Sequence, residues 1–149
     1  MDEPTIRPYA LQAGEGWTYR FAELGIDFVV KVGEQRQGRG LGFFELTTRA
    51  GEEPPNHTHA TEDEFFYVLQ GEVAFRCGDD RFEVTDGGCV FLPRGIEHGY
   101  RIKNDGDARL LVVTTPVPDD AGWGGFVGSF ERDSELRVVP PWERRLTGP

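Results

Sequence analysis

An antiparallel, all-β fold is predicted by three features of the sequence. Glycine and aspartate recur at short intervals along the 149 residues, and the segments between them are rich in β-branched and aromatic side chains. No long stretch places its apolar residues at helical spacing. This pattern is typical of many short strands that form a sandwich or a barrel. One domain of this length can bury a substantial core.

The first strands are predicted to form a hairpin. Residues 28–32 and 42–48 are β-branched and aromatic, and the stretch Gln37–Gly40 between them supplies a glycine-containing turn. Upstream, residues 12–22 allow a turn of helix, although two glycines within that stretch weaken the helical pattern.

The middle of the chain is predicted to continue as short strands joined by turns. The clearest strand covers 64–69, and a tight turn at Gln70–Gly71 leads to an expected partner strand at 72–77. Turns at 78–80, 86–88 and 93–95 then separate strands at 81–85, 89–92 and 98–103. A final hairpin turn at 104–107 precedes 109–115, an apolar run expected to be a central strand covered on both faces.

The whole chain, 1–149, is interpreted as one domain with an arm at each end. The barrel core is expected at 28–116, with an N-terminal arm at 1–27 and a C-terminal arm at 117–149. Proline and glycine interrupt the C-terminal arm, but its aromatic side chains are too apolar for a free tail; these are Trp123, Phe126, Phe130 and Trp142. We expect this arm to wrap the barrel or a second subunit rather than to act as a substrate lid.

Charge and composition exclude several classes of function. Sixteen basic and 26 acidic side chains give a formal net charge of −10, which opposes binding to nucleic acid or an anionic membrane. No apolar run approaches the roughly 20 residues of a membrane span, and no secretory signal is visible. Cys77 and Cys89 are too few for a disulfide framework and lack the spacing of a thiolate site. A cytoplasmic protein with a small-molecule partner is expected.

The three histidines and one carboxylate indicate a metal site. His57 and His59 are two residues apart in a predicted strand, so both side chains point to the same face. His98 follows the Pro93–Gly95 turn and is expected to arrive from a neighbouring strand. Imidazole together with carboxylate suits a divalent transition metal and is the wrong ligand set for calcium.

Two glutamates compete for the carboxylate position. Glu64 lies just before three aromatic residues, which indicates a buried segment where a carboxylate needs a charge partner. Glu62 has the same strand parity and lies closer to His59, so it remains an alternative. Asp63 has the opposite parity and is expected to face water.

These residues lie in two stretches that resemble the conserved motifs of the cupin superfamily. Residues 51–71 match every fixed position of G(X)5HXH(X)3,4E(X)6G, and residues 87–98 match G(X)5PXG(X)2H(X)3N as far as His98. Ile102 then stands where the second motif has asparagine, and Asn104 comes two residues later. Fifteen residues, 72–86, separate the motifs, which is similar to the compact spacing of small microbial cupins.

The resemblance implies a cupin β-barrel, also called a double-stranded β-helix or jelly roll, in a homodimeric protein. It favours Glu64 over Glu62, because the spacing to Gly71 fits the motif. It also implies that four side chains hold one divalent metal, which these ligands allow to be Fe, Ni, Co, Mn, Cu or Zn. The implied ligands are His57, His59, Glu64 and His98.

Among cupins, small one-domain proteins with this ligand set look like quercetinase-type dioxygenases. In that group the metal-ligand glutamate, here Glu64, also removes the proton of the substrate hydroxyl. A local positive charge in an apolar cavity suits a small enolisable or phenolic substrate. Residues expected to contact it are Phe44, Phe66, Phe75 and Tyr100. Two alternatives are a redox-neutral cyclase or isomerase of secondary metabolism and a non-catalytic small-molecule-binding cupin.

Overall fold

A computed structural model describes residues 8–21, 26–32, 41–115 and 135–138. Every regular element within these residues is a β-strand. The strands are β1 Trp17–Phe21, β2 Ile26–Val32, β3 Gly42–Thr48, β4 Asp63–Gln70, β5 Glu72–Cys77, β6 Asp80–Thr85, β7 Cys89–Leu92, β8 His98–Ile102, β9 Ala108–Thr115 and β10 Glu135–Val138. No helix in this part of the chain has the length and apolar composition needed to cross a bilayer.

The strands form two antiparallel sheets. The large sheet has the order β10-β1-β2-β3-β9-β4-β7, and the small sheet has the order β6-β5-β8. Inward-facing side chains of both sheets make one apolar core, to which β9 gives Leu110 and Val112 and β5 gives Val73 and Phe75. The all-β, antiparallel jelly-roll fold predicted from the sequence is therefore confirmed.

Alternation of side chains explains why these segments are strands. In β3, buried and half-buried residues alternate along the whole strand. In β4, Glu64, Phe66 and Val68 are buried, whereas Phe65 and Tyr67 are exposed. The face that carries Glu64 therefore belongs to the barrel interior.

The helical turn predicted within residues 12–22 is wrong. Residues 17–21 form β1, which pairs with β2 and also with β10. Trp17 and Tyr19 are buried and Arg20 is exposed, so this short segment has the period of a strand. The two upstream glycines weaken the helical propensity of this stretch, and the strand begins only after them, at Trp17.

Two predicted hairpins are also wrong, although their strands exist. Within the described residues β4 pairs with β7 and β9, whereas β5 pairs with β6 and β8. The turn at Gly71, whose φ is +125°, therefore carries the chain from one sheet to the other. The turn at 104–107 does the same between β8 and β9. The hairpin β2–β3 forms as predicted, and the turn after β5 joins it to β6 in a further antiparallel pair.

The last predicted strand is central but is not covered equally on both faces. β9 lies between β3 and β4, as expected for an apolar run. Leu111 and Val113 on its outer face are only half-buried. Downstream, β10 lies inside the predicted C-terminal arm and pairs with β1. The four aromatic residues named in that arm lie outside the described residues, and the proposed boundaries of the arms stay predictions.

Candidate metal centre

Strand pairing brings the residues of both sequence motifs together. Glu64 is the second residue of β4 in the large sheet, and His98 is the first residue of β8 in the small sheet. His57 forms an isolated bridge with His98, in which each backbone N–H donates to the other residue's carbonyl at 2.9 Å. One ligand atom from each of these residues and from His59 lies within 4.8 Å of the others.

The turn between Pro93 and Gly95 fixes the segment that carries His59. The Gly95 N–H donates to the His59 carbonyl at 2.8 Å, so the two motifs are tied through their backbones. Gly95 has a φ of +78°, a conformation that favours glycine. The proline and glycine of the second motif thus shape the turn that orients a ligand of the first motif.

Glu64 bridges two imidazoles. Its Oε1 lies 2.9 Å from His59 Nε2, and its Oε2 lies 3.4 Å from His98 Nε2. The three imidazole rings pack around one another with centroid separations of 4.7–5.4 Å. Glu64 and His98 are almost completely buried, whereas His59 is partly exposed. The cluster therefore opens toward solvent on the side of the first motif.

The tautomer of His57 is determined by its backbone neighbour. His57 Nδ1 lies 2.8 Å from the Pro55 carbonyl, and a carbonyl can only accept, so Nδ1 carries the proton. In the neutral ring Nε2 then has a free lone pair. A hydrogen bond of this kind orients metal-binding histidines and raises their basicity. Burial also lowers the pKa of His57, despite the Pro55 contact, which favours the neutral ring that a metal requires.

The electrostatics of the cluster favour an ionised carboxylate. Burial alone would raise the pKa of Glu64, but hydrogen bonds and charge from His59 and His98 lower it to about 2. For His59, burial opposes the charged form, yet Glu64 and the charge of Glu62 raise its pKa. Without a metal, therefore, these interactions favour the ion pair of protonated His59 with the Glu64 carboxylate.

The donor set fits a divalent transition metal. Both ring nitrogens of His98 are buried; Nδ1 has no hydrogen-bond partner among the described residues, and Nε2 has only the long 3.4 Å contact with Glu64 Oε2. A buried imidazole nitrogen is normally satisfied, and a metal ion would satisfy it here. Three imidazoles and one carboxylate could hold iron, nickel, cobalt, manganese, copper or zinc. These four residues are the ones that the sequence predicted as ligands.

Neighbouring candidates lie outside this group. Glu62 is buried beside the cluster but does not belong to its converging set of ligand atoms. Asp63 instead accepts hydrogen bonds from the Arg94 side chain. Cys77 pairs in register with His98, and burial raises the pKa of its thiol, which disfavours a thiolate ligand.

Three of the four predicted substrate-binding residues form one aromatic cluster. Centroid separations are 5.4 Å for Phe66–Phe75, 5.7 Å for Phe66–Tyr100 and 6.0 Å for Phe75–Tyr100. Phe66 lies two residues after Glu64 on the same face of β4, and Tyr100 lies two residues after His98 on the same face of β8. The aromatic cluster is therefore the next layer of the barrel. The fourth, Phe44, is buried in the core and packs against Phe28.

Two residues beside Glu64 were missed by the sequence analysis. Leu92 and Thr114 are its register partners on β7 and β9, and both are almost fully buried. Strand pairing across a jelly roll links positions far apart in the chain, so no local pattern could identify them.

Comparisons with known proteins agree with this geometry. A cupin domain family model matches residues 44–114. An uncharacterized protein of Streptomyces coelicolor is 30% identical over 83 residues, which are 56% of this chain and 73% of that protein. Quercetin 2,3-dioxygenase of Bacillus subtilis is 30% identical over 101 residues, covering 65% of this chain but only 28% of that enzyme.

A solved structure supports the fold independently. A Thermotoga maritima protein described as a predicted oxalate decarboxylase superposes with a TM-score of 0.62 at 16% identity. The match covers 74% of this chain and all of that protein's chain. The fold and site define a cupin domain with a candidate metal centre, and the chain belongs to the cupin superfamily.

Proposed function

We propose that this protein is a metal-dependent enzyme that acts on a small enolisable or phenolic molecule, most closely in the manner of a quercetinase-type dioxygenase. The observation that carries the proposal is the convergence of His57, His59, Glu64 and His98 at the edge of the barrel interior. The similarity to quercetin 2,3-dioxygenase supports the reaction class, although this chain spans 28% of that enzyme.

The four ligand residues would hold the metal. An ion that accepts five or six ligands would then have room for at least one more, such as the substrate. A divalent metal bound there would supply Lewis acidity toward substrate oxygen atoms and, if redox-active, electrons for O2 chemistry. Glu64 is ionised at neutral pH, so it can accept a proton from a substrate hydroxyl. His59 as a neutral ligand would no longer donate a hydrogen to Glu64, which frees a carboxylate lone pair for that role.

The aromatic layer of the barrel would position the substrate. The faces of Phe66, Phe75 and Tyr100 suit a flat ring through offset or edge-on contacts. Burial, together with the charges of Glu53 and Glu64, raises the pKa of Tyr100, so its hydroxyl stays protonated and can donate to a substrate oxygen.

Oxygen uptake with flavonols and catechols tests this proposal. Replacing Glu64 by Gln keeps the size of the side chain but removes the base. We expect turnover to fall by about a hundredfold or more, the usual contribution of general base catalysis. The metal content should fall much less. Glu62→Gln, the same chemical change two residues away, is the matched control and should retain most of the turnover.

Other outcomes identify the alternatives. Equal losses of turnover and metal in Glu64→Gln would remove the base role. Turnover of an enolisable substrate without O2 would favour a redox-neutral cyclase or isomerase. Tight binding of these molecules to the metal-loaded protein without turnover would contradict both enzyme proposals and leave a binding protein.

A further inference from the structure

The outer face of the small sheet carries a cationic cleft whose lining includes none of the four candidate metal ligands. The cleft has a volume of about 530 Å³ and spans β5, β6 and β8. Along β8, Gly99 and Arg101 line it from the face opposite His98, and Tyr100 borders it together with Phe75 of β5. The cleft therefore adjoins the strand that carries His98, but His98 itself does not line it.

Small residues create the floor of the cleft. The strand register pairs Ala74 with Arg101 and Arg76 with Gly99, so each arginine faces a residue with little or no side chain. Gly99 is also required by packing, because a Cβ there would lie 1.9 Å from Asn56 Oδ1. Asn56 thus lies against the β8 backbone at the edge of the cleft, directly before His57.

Four cations line this cleft, against one carboxylate. The cations are Arg76, Arg81, Arg101 and Lys103, and the carboxylate is Glu83. Glu97, next to the cleft, pairs with Arg76 at 2.5 Å, and Arg101 interacts with the charge of Glu53. In the part of the chain that the structure describes, neither Arg81 nor Lys103 has an ion pair. This concentration of positive charge contrasts with a chain whose net charge is −10.

We propose that the cleft binds a small polyanion, either a phosphate ester or a polycarboxylate. Guanidinium groups recognise both through paired N–H donors. Arg76 lines the cleft, and its buried Nε has no acceptor among the described residues. The volume falls in the range of small-molecule sites. The overall negative charge repels extended polyanions such as nucleic acid, which limits the ligand to a small molecule.

Calorimetric titration at low ionic strength tests the site, with pyrophosphate and citrate as probes of the two chemistries. We expect saturable binding at one site per chain, weakened by added salt. The variant Arg81→Gln/Arg101→Gln should bind about tenfold more weakly or worse, because hydrogen bonds to charged groups contribute on this scale. The control variant Arg20→Gln/Arg49→Gln also removes two positive charges, one in β1 of the large sheet and one in the loop after β3. It should bind the probes like the wild type.

Further measurements distinguish binding in this cleft from binding elsewhere. The probe that binds more tightly identifies phosphate or carboxylate chemistry. Affinity should persist in His59→Ala, and its loss would place the anion at the metal centre and overturn the proposal. Absence of saturable binding of both probes, or equal affinity in Arg81→Gln/Arg101→Gln, would also overturn it. Sedimentation with anionic lipid vesicles that depends on Arg81 and Arg101 would replace the small ligand by a membrane surface.

Discussion

At the scale of single residues, the carboxylate of Glu64 organises the metal centre. One oxygen faces His59 and the other faces His98, and the whole side chain is buried. His57 is oriented separately, by the Pro55 carbonyl. Three different backbone segments thus hold four side chains in one place, so the loss of any one leaves the others with unsatisfied buried groups.

The ion pair between His59 and Glu64 makes the stability of the metal-free protein depend on pH. The pKa of Glu64 is lowered to about 2, so its contribution is complete above its usual value of 4.5 and is lost as the pH falls toward 2. The pKa of His59 is raised above 6.5, so its contribution is complete below 6.5 and is lost as the pH rises through the folded value. The pair stabilises the metal-free fold most between these limits.

Urea unfolding of the metal-free protein between about pH 2 and pH 6 measures this effect. The wild type should lose about 3 kcal/mol more than Glu64→Gln over this range, the free energy that corresponds to the lowered carboxyl pKa. A parallel loss in the two proteins would show that the carboxylate does not depend on His59 for its charge.

Metal affinity should increase with pH above pH 6.5, where the ion pair contributes less to the stability of the metal-free protein. A metal ion must displace the proton of His59, whose pKa is raised, so binding tightens with pH and releases protons. Competition titrations with zinc at about pH 6 and pH 8 should show the higher affinity at the upper pH. An affinity independent of pH would contradict displacement of that proton.

At the scale of elements, Gly71 is the switch between the two sheets. It has a φ of +125°, and a Cβ added there would lie 2.9 Å from both Ala108 Cβ and Asn104 Oδ1. Asn104 Oδ1 also accepts the Glu72 N–H at 2.9 Å, beside this turn. The turns at Gly71 and at 104–107 therefore pack on each other and hold the two sheet crossings together.

Replacing Gly71 by Ala should destabilise the fold more than Gly106→Ala. Both glycines have positive φ, but a Cβ at Gly106 meets nothing within 4 Å. Strain alone should cost about 1 kcal/mol at Gly106, and strain plus the collision about 2–4 kcal/mol at Gly71. Thermal and urea unfolding measure both variants. Equal destabilisation would mean that the crossing at Gly71 is not tightly packed.

Local patterns predicted most strands and the β2–β3 hairpin but not the partners of β4 and β5, and the ligand set followed from the motif resemblance. The alternation in β4 and β5 identified both segments, yet their pairing depends on the bend at Gly71. The site was predictable because its two motifs are each contiguous in the chain. Strand register places Thr114 and Leu92 beside Glu64 and also forms the cleft behind β8. This register joins segments that are far apart in the chain, so no short stretch of sequence could predict it.

At the scale of the whole molecule, charge and exposed apolar area are distributed unevenly. Phe65 and Phe91 stack on the outer face of the large sheet with centroids 4.8 Å apart, and both are about half exposed. Tyr67 lies on the same face and is also exposed. A contiguous aromatic patch of this kind typically marks a contact with another protein surface.

The homodimer predicted from the family resemblance is expected to use this aromatic patch. Phe91→Glu should shift the protein to monomer by placing a charge in the interface. Phe82→Glu, which changes an exposed phenylalanine on the small sheet, is the control and should leave the assembly unchanged. Sedimentation velocity measures both. A monomeric wild type, or a dimer that survives Phe91→Glu, would contradict this interface.

The central claim, that four side chains of two motifs form a transition-metal site, is tested most directly by elemental analysis of the purified protein. We predict close to one iron, nickel, cobalt, manganese, copper or zinc ion per chain in the wild type. His98→Ala should lose this metal but remain folded. The substitution removes an imidazole ligand, whereas the backbone pairing of residue 98 with His57 and Cys77 does not require that side chain. Metal absent from the wild type even after reconstitution, or retained in full by His98→Ala, would contradict the claim.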